Sequence, residues 1–106
     1  MGLTDDKSDP GLKKIDKDTG MQESYLVMSD QERNKGFIRP LRLTYYHQTC
    51  GSKTTMSRPL AETYAVKPEF YGATYCASCK QHRPVGHEGE FFWVHNGTIT
   101  DERVGT

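Results

Sequence analysis

The chain has 106 residues, no formal net charge at neutral pH, 34% hydrophobic residues and a mean hydropathy of -0.79, which limits it to one small domain with too little apolar material for a self-sufficient core. No stretch approaches the roughly 18 consecutive apolar residues of a membrane span, and M-G-L-T-D-D-K-S-D-P lacks the basic start and apolar run of a secretory signal, so a cytoplasmic protein without membrane association is expected. Its three cysteines cannot close a complete disulfide framework, and in a reducing compartment a C-x-x-C pair is more often metal-binding or redox-active.

The zero balance hides segregation. Residues 1–35 carry 6 basic and 8 acidic groups, residues 36–87 carry 7 and 2, and residues 88–106 carry 1 and 4. The middle is a modestly basic segment between acidic ends.

In chain order, residues 1–22 are polar, contain Gly2, Gly11, Gly20 and Pro10, and show no apolar period; they are expected to be a flexible N-terminal tail, or else a segment that orders against a partner. A single domain is expected over 23–106, with its core at about 37–95. In Y-L-V-M-S-D-Q-E-R-N-K-G, Ser29 and Glu32 have the spacing of a capping box and Gly36 the place of a helix stop, which predicts one or two helical turns between Asp30 and Lys35. F-I-R-P-L-R-L-T-Y-Y-H alternates like a strand, with Pro40 confining it to an edge or a bulge.

S-K-T-T-M is suited to return antiparallel to that strand. Ser57 is placed to cap a second helix, with Pro59 in its first turn and Leu60, Ala61, Tyr64 and Ala65 forming one apolar stripe up to Lys67-Pro68. Asn96-Gly97 between two β-prone runs predicts a two-residue hairpin. With so few aliphatic residues, Phe37, Tyr75, Phe91, Phe92 and Trp93 are the expected core, leaving about half the tyrosines free.

The chemistry concentrates in two short motifs, H-Q-T-C-G and C-A-S-C. Structural zinc takes four nitrogen or sulfur ligands in a tetrahedron, and two intervening residues let the backbone curl so that both ends of such a motif face one ion. Gly51, just after Cys50, suits a turn that needs positive φ. His47, Cys50, Cys76 and Cys79 therefore form a candidate Cys3His zinc site from two knuckles, each preceded by an aromatic β-prone run. His82, at C-x-x-H spacing after Cys79, is the rival fourth ligand; facing knuckles favour His47. A redox role for Cys76 and Cys79 lacks the βαβ setting such a dithiol usually has. The expected fold is a small α+β, zinc-ribbon-like domain of antiparallel β-hairpins joined by a short helix.

The run from R-P-L-R-L-T-Y-Y-H-Q-T-C-G to C-A-S-C-K-Q-H-R-P-V-G resembles small zinc-ribbon-like proteins of tailed bacteriophages and prophages, whose pattern also has a histidine shortly before C-G. The resemblance extends over Y-L-V-M-S-D-Q-E-R-N-K-G-F and E-F-F-W, most of the chain. It implies a phage origin, hence the cytoplasm of an infected bacterium, and a zinc-ribbon-like core, but no activity.

Three function classes follow. The favoured one is a non-enzymatic binding module, a monomer that engages a host or phage protein through Arg39, Arg42, Tyr45, Tyr46, Lys80, His82 and Arg83. A weakly basic nucleic-acid binder is the alternative, joining phosphate contacts to stacking on tyrosines. A zinc-scaffolded nuclease has least support: the basic segment's only acids are Glu62 and Glu69, and V-H-N-G-T reads as a turn.

Overall fold

A computed structural model describes residues 2–106, which form eight short strands, two α-helices and one 3-10 turn. The first strand, β1 (Gly2–Thr4), pairs in parallel with β2 (Ser24–Leu26), and the 3-10 turn Pro10–Lys13 lies between them. Helix α1 (Asp30–Arg33) starts where Ser29 accepts a hydrogen bond from the Glu32 amide at 3.3 Å. Only half of the expected capping box forms, because the Glu32 carboxylate takes Lys35 at 3.0 Å. Gly36, at φ 115°, then turns the chain away.

The remaining elements are β3 (Thr44–His47), β4 (Ser52–Thr55), α2 (Arg58–Val66), β5 (Ala73–Cys76), β6 (Gln81–Pro84), β7 (Phe91–His95) and β8 (Thr98–Arg103). Four strands make an antiparallel sheet in the order β4-β3-β7-β8, and β5 and β6 make a separate antiparallel hairpin. Asn96 and Gly97, at φ 51° and 79°, close the β7–β8 hairpin as expected. Two positive φ values in a two-residue loop match the right-handed twist of the flanking strands.

The long strand expected from Phe37 begins only at Thr44. The amides of Ile38 and Arg39 both donate to the Ala65 carbonyl at the end of α2, at 2.8 and 3.1 Å, and Pro40 has no amide to offer a ladder. Phe37 is consequently 43% exposed and leaves the expected core. Phe92 also lies outside it, half-buried on the outer sheet face beneath the Arg103 guanidinium, 4.8 Å from its ring.

The inner sheet face carries Tyr45, Phe91 and Trp93, and packs with Met56, Val104, Ala61 and Tyr64. Perpendicular ring contacts join Tyr45 to Phe91 and Tyr64 to Trp93, with centroids 5.3 and 5.5 Å apart. In α2 the expected stripe is buried at Ala61, Tyr64 and Ala65. Ser57 has the backbone conformation of an N-cap but its hydroxyl makes no capping bond, since Pro59 removes one of the amides such a cap normally binds. Among the described residues no helix is long and apolar enough to cross a membrane.

The segment expected as a flexible tail is instead packed on the domain. Within it the Thr19 carbonyl accepts from the Tyr75 hydroxyl, and just after it Tyr71 donates to the Leu26 carbonyl and the Tyr25 hydroxyl lies 2.9 Å from His82 Nε2. Gly20, at φ 79°, comes so close to the second knuckle that a Cβ there would sit 1.9 Å from the Lys80 carbonyl oxygen. Composition undervalued this segment because the docking uses its backbone acceptors and a few apolar groups, met by tyrosines from elsewhere in the chain.

Candidate metal centre

Two hairpins built alike bring four donors together. His47 ends β3 and Cys50 sits in the following turn, which the Gly51 amide closes on the His47 carbonyl at 2.8 Å. Cys76 ends β5 and Cys79 sits in the next turn, closed by the Lys80 amide on the Cys76 carbonyl, also at 2.8 Å. The residue after each second donor has positive φ: Gly51 at 75° and Lys80 at 54°. The first was expected of a glycine; the second shows that the same turn is imposed on a lysine. Within the second knuckle the Cys79 amide lies 3.4 Å from Cys76 Sγ.

The ligand atoms of His47, Cys50, Cys76 and Cys79 all lie within 4.8 Å of one another, and the cluster could hold a metal ion. Bond lengths of about 2.3 Å to sulfur and 2.0–2.1 Å to nitrogen around a tetrahedron require ligand–ligand edges of about 3.8 Å between sulfurs and 3.6 Å between sulfur and nitrogen. Cys50 Sγ to Cys76 Sγ is 3.5 Å, Cys79 Sγ to His47 Nδ1 is 3.6 Å, and His47 Nδ1 to Cys50 Sγ is 3.1 Å. Two of these edges come close to the tetrahedral values and the third is shorter, so the four donors stand near enough to close on one ion.

His82 takes no part in the cluster. It lies on β6 between the rings of Tyr25 and Tyr75, at 5.7 and 5.4 Å between centroids. It is half-buried there and packs β2 against the β5–β6 hairpin.

Glu90 completes the site without any spacing in the sequence that points to it. Its Oε1 lies 2.8 Å from His47 Nε2, the ring nitrogen not facing the thiols, and also accepts from the Thr49 hydroxyl at 2.9 Å. Arg83 Nη2 reaches Glu90 Oε2 at 3.1 Å. The His47 ring is further held by stacking on Phe91, with centroids 4.5 Å apart and planes inclined by 24°. A carboxylate behind a ligating imidazole fixes its tautomer and orientation and raises its basicity.

The electrostatics agree with this geometry. Glu90 is held down at about 2, first by its bond to His47, then by Arg83 and Thr49. Burial pulls His47 downward, but Glu90 and the neighbouring thiols outweigh it and raise it overall. The Cys50 thiol is lowered to about 6, chiefly by the Ser52 hydroxyl at 3.0 Å. Cys79 is pushed up to about 11 by burial and by sharing the site with Cys50 and Cys76. Three sulfurs so close do not all ionise unless a cation compensates them.

The expected partner-binding residues separate into two groups. Arg39 and Lys80 are exposed and Tyr46 is half-buried on the outer sheet face. Arg42, by contrast, is 7% exposed, paired with Glu102 and 5.0 Å above the Trp93 ring. Tyr45 is 2% exposed and donates to the Tyr75 carbonyl, and Arg83 is occupied by Glu90. Alternation puts Tyr45 on the core face and Tyr46 outside, while Arg42 lies flat on an aromatic surface with its charge matched. Only two of the six tyrosines escape full burial, fewer than expected.

No protein-family model matches this chain, no curated protein matches it, and no solved structure matches its fold.

Proposed function

We propose that this chain is a non-enzymatic, zinc-stabilised binding module of zinc-ribbon-like fold, acting through contact with a protein partner. The observation that carries the reading is the closed donor set: His47, Cys50, Cys76 and Cys79 offer four ligand atoms within 4.8 Å. Catalytic zinc keeps a coordination position for water or substrate, whereas an ion held by four protein ligands has none to offer. Three thiolates and one imidazole suit zinc, and are the wrong donors for magnesium or calcium, which seek oxygen. The resemblance to small phage and prophage proteins is the ground for a phage origin and for action in the cytoplasm of the infected bacterium; a monomer engaging a host or phage protein completes the proposed reading.

The strip Phe37-Ile38-Arg39 is the best candidate for the contact. Phe37 and Ile38 are 43% and 63% exposed, next to the exposed Arg39, and interface energy concentrates on aromatic, apolar and arginine anchors of this kind. One observation favours a second reading, weak nucleic-acid binding. Across the outer sheet face the registers align Lys53, Tyr46, Phe92 and Arg103 in one row, in which Arg103 covers Phe92 and Tyr46, flanked by cations, is the ring suited to stacking a base beside phosphates.

The test is capture from host lysate after nuclease treatment, at about 150 mM and about 300 mM salt, with zinc stoichiometry measured alongside. A defined protein retained at both salts and lost with Ile38→Asp supports the first reading. Loss of all retention after nuclease, restored by added single-stranded nucleic acid and removed by Tyr46→Ala, installs the second. A metal-free chain with an unchanged fold overturns the zinc module itself.

A further inference from the structure

The metal centre and the exposed strip leave one large feature unexplained. A partly enclosed cavity of about 380 Å³ lies where the N-terminal segment, β4, α2 and β5 converge. Five of the six tyrosines line it, and none of its lining residues carries a charge, although 26% of the chain does.

Several tyrosine hydroxyls on the wall are already committed: Tyr45 to the Tyr75 carbonyl, Tyr71 to the Leu26 carbonyl, Tyr75 to the Thr19 carbonyl, and Tyr25 to His82. These bonds tie the wall together and make it poor at anchoring water, which needs two to four polar partners. One solvent-shielded side-chain atom of the wall has no partner. Ser57, also on the wall, has its Oγ shielded from solvent and without a hydrogen-bond partner, a state that costs free energy until a turn about χ1 brings the hydroxyl to a partner in the cavity.

We propose that this cavity binds an uncharged aromatic small molecule of about two fused rings with a hydroxyl or similar group that pairs with Ser57. Volume supports the size: a dry apolar cavity of about 150 Å³ accepts benzene, and this one is more than twice as large. The absence of lining charges selects against ions, because a charged ligand would lose its hydration and meet no counter-charge. Rings of Tyr64 and Tyr71, tilted with centroids 4.8 Å apart on the wall, offer faces and edges for stacking. The inference goes beyond the binding module and does not depend on which metal fills the knuckles.

The experiment is a nitrogen-15 NMR titration of the full chain, prepared with zinc, using 2-naphthol as the probe, naphthalene to isolate the hydroxyl and 2-naphthalenesulfonate to isolate charge. Saturable binding of 2-naphthol with a Kd of about 1 mM or tighter is expected, with shifts centred on residues 54–60 and 71–77, and with the sulfonate at least about 10-fold weaker. Ser57→Ala should weaken 2-naphthol by about 3- to 10-fold and leave naphthalene unchanged. Leu60→Trp and Ala73→Phe, which fill the cavity from two walls, should each abolish saturation. The exposed Ala73 keeps the second variant foldable should the first disturb α2.

No saturable binding, equal binding of the sulfonate, or binding that survives Ala73→Phe overturns the proposal. So does a cavity that ignores the free probes while Ala73→Phe blocks capture of a partner protein, which would assign the space to a partner's side chain.

Discussion

His47 Nε2 and Glu90 Oε1 lie 2.8 Å apart, so the imidazole that offers Nδ1 to the thiols is oriented from behind by a carboxylate. Glu90 is itself fixed by Arg83 and Thr49. Replacing it by Gln keeps a neutral acceptor for the ring proton but removes the charge. Glu90→Gln is expected to weaken zinc by about 10-fold and Glu90→Ala by up to about 100-fold, read by competition with a chromophoric chelator. Unchanged affinity in both would mean that the geometry of the knuckles alone orients His47.

The ligands themselves should behave as a set. Cys50→Ser, Cys76→Ser and Cys79→Ser are each expected to abolish stoichiometric zinc and His47→Ala to reduce it severely, with His82→Ala retaining one ion per chain by elemental mass spectrometry. Structural zinc supplies on the order of 10–16 kcal/mol of apparent binding free energy at neutral pH, more than a small domain's usual net stability of about 5–15 kcal/mol can spare. Chelation should therefore erase the near-UV circular dichroism of the core that holds Tyr45, Tyr64 and Trp93. A metal-free chain that keeps that signal would demote the site from structural element to ornament.

What the residues disclosed in advance was mostly local. Cys76 and Cys79 share one turn, His47 and Cys50 another, and Asn96-Gly97 a third, so short-range spacing and φ preference sufficed to find them. Glu90 was hidden because its role depends on strand register: β3 pairs His47 with Phe91 of β7, which brings the preceding residue beside the imidazole from 43 positions away. The fate of Tyr45 turned on which sheet face points to α2, and that of Arg42 on the approach of Trp93 and Glu102, both tertiary facts. The N-terminal segment misled for a related reason. Its composition is mostly polar, and the hydroxyl that holds it at Thr19, that of Tyr75, belongs to another part of the chain.

That docking has a sharp steric test. A Cβ on Gly20 would meet the Lys80 carbonyl oxygen at 1.9 Å, at a φ of 79° that side chains rarely adopt. Gly20→Ala is expected to cost the docked state more than about 1 kcal/mol. Residues 2–22 should then lose amide-exchange protection while zinc stoichiometry holds. If protection survives, the segment is anchored elsewhere and the close approach at Lys80 is incidental.

His82 is lowered from its ordinary value of 6.5 by burial, between the rings of Tyr25 and Tyr75 and in contact with the Tyr25 hydroxyl. The packed state thus prefers the neutral ring, while the undocked state protonates at the ordinary value. The stabilisation is complete above about pH 6.5 and declines as the pH falls through the lowered value. Protection factors over residues 2–28 are expected to fall between about pH 7 and pH 5 relative to those in β3 and β7, which report the core beside the candidate metal centre. His82→Phe keeps an aromatic ring in the same slot and removes the titration, so it should flatten this relative dependence. A pH dependence that persists in His82→Phe would trace the acid response to the metal knuckles instead.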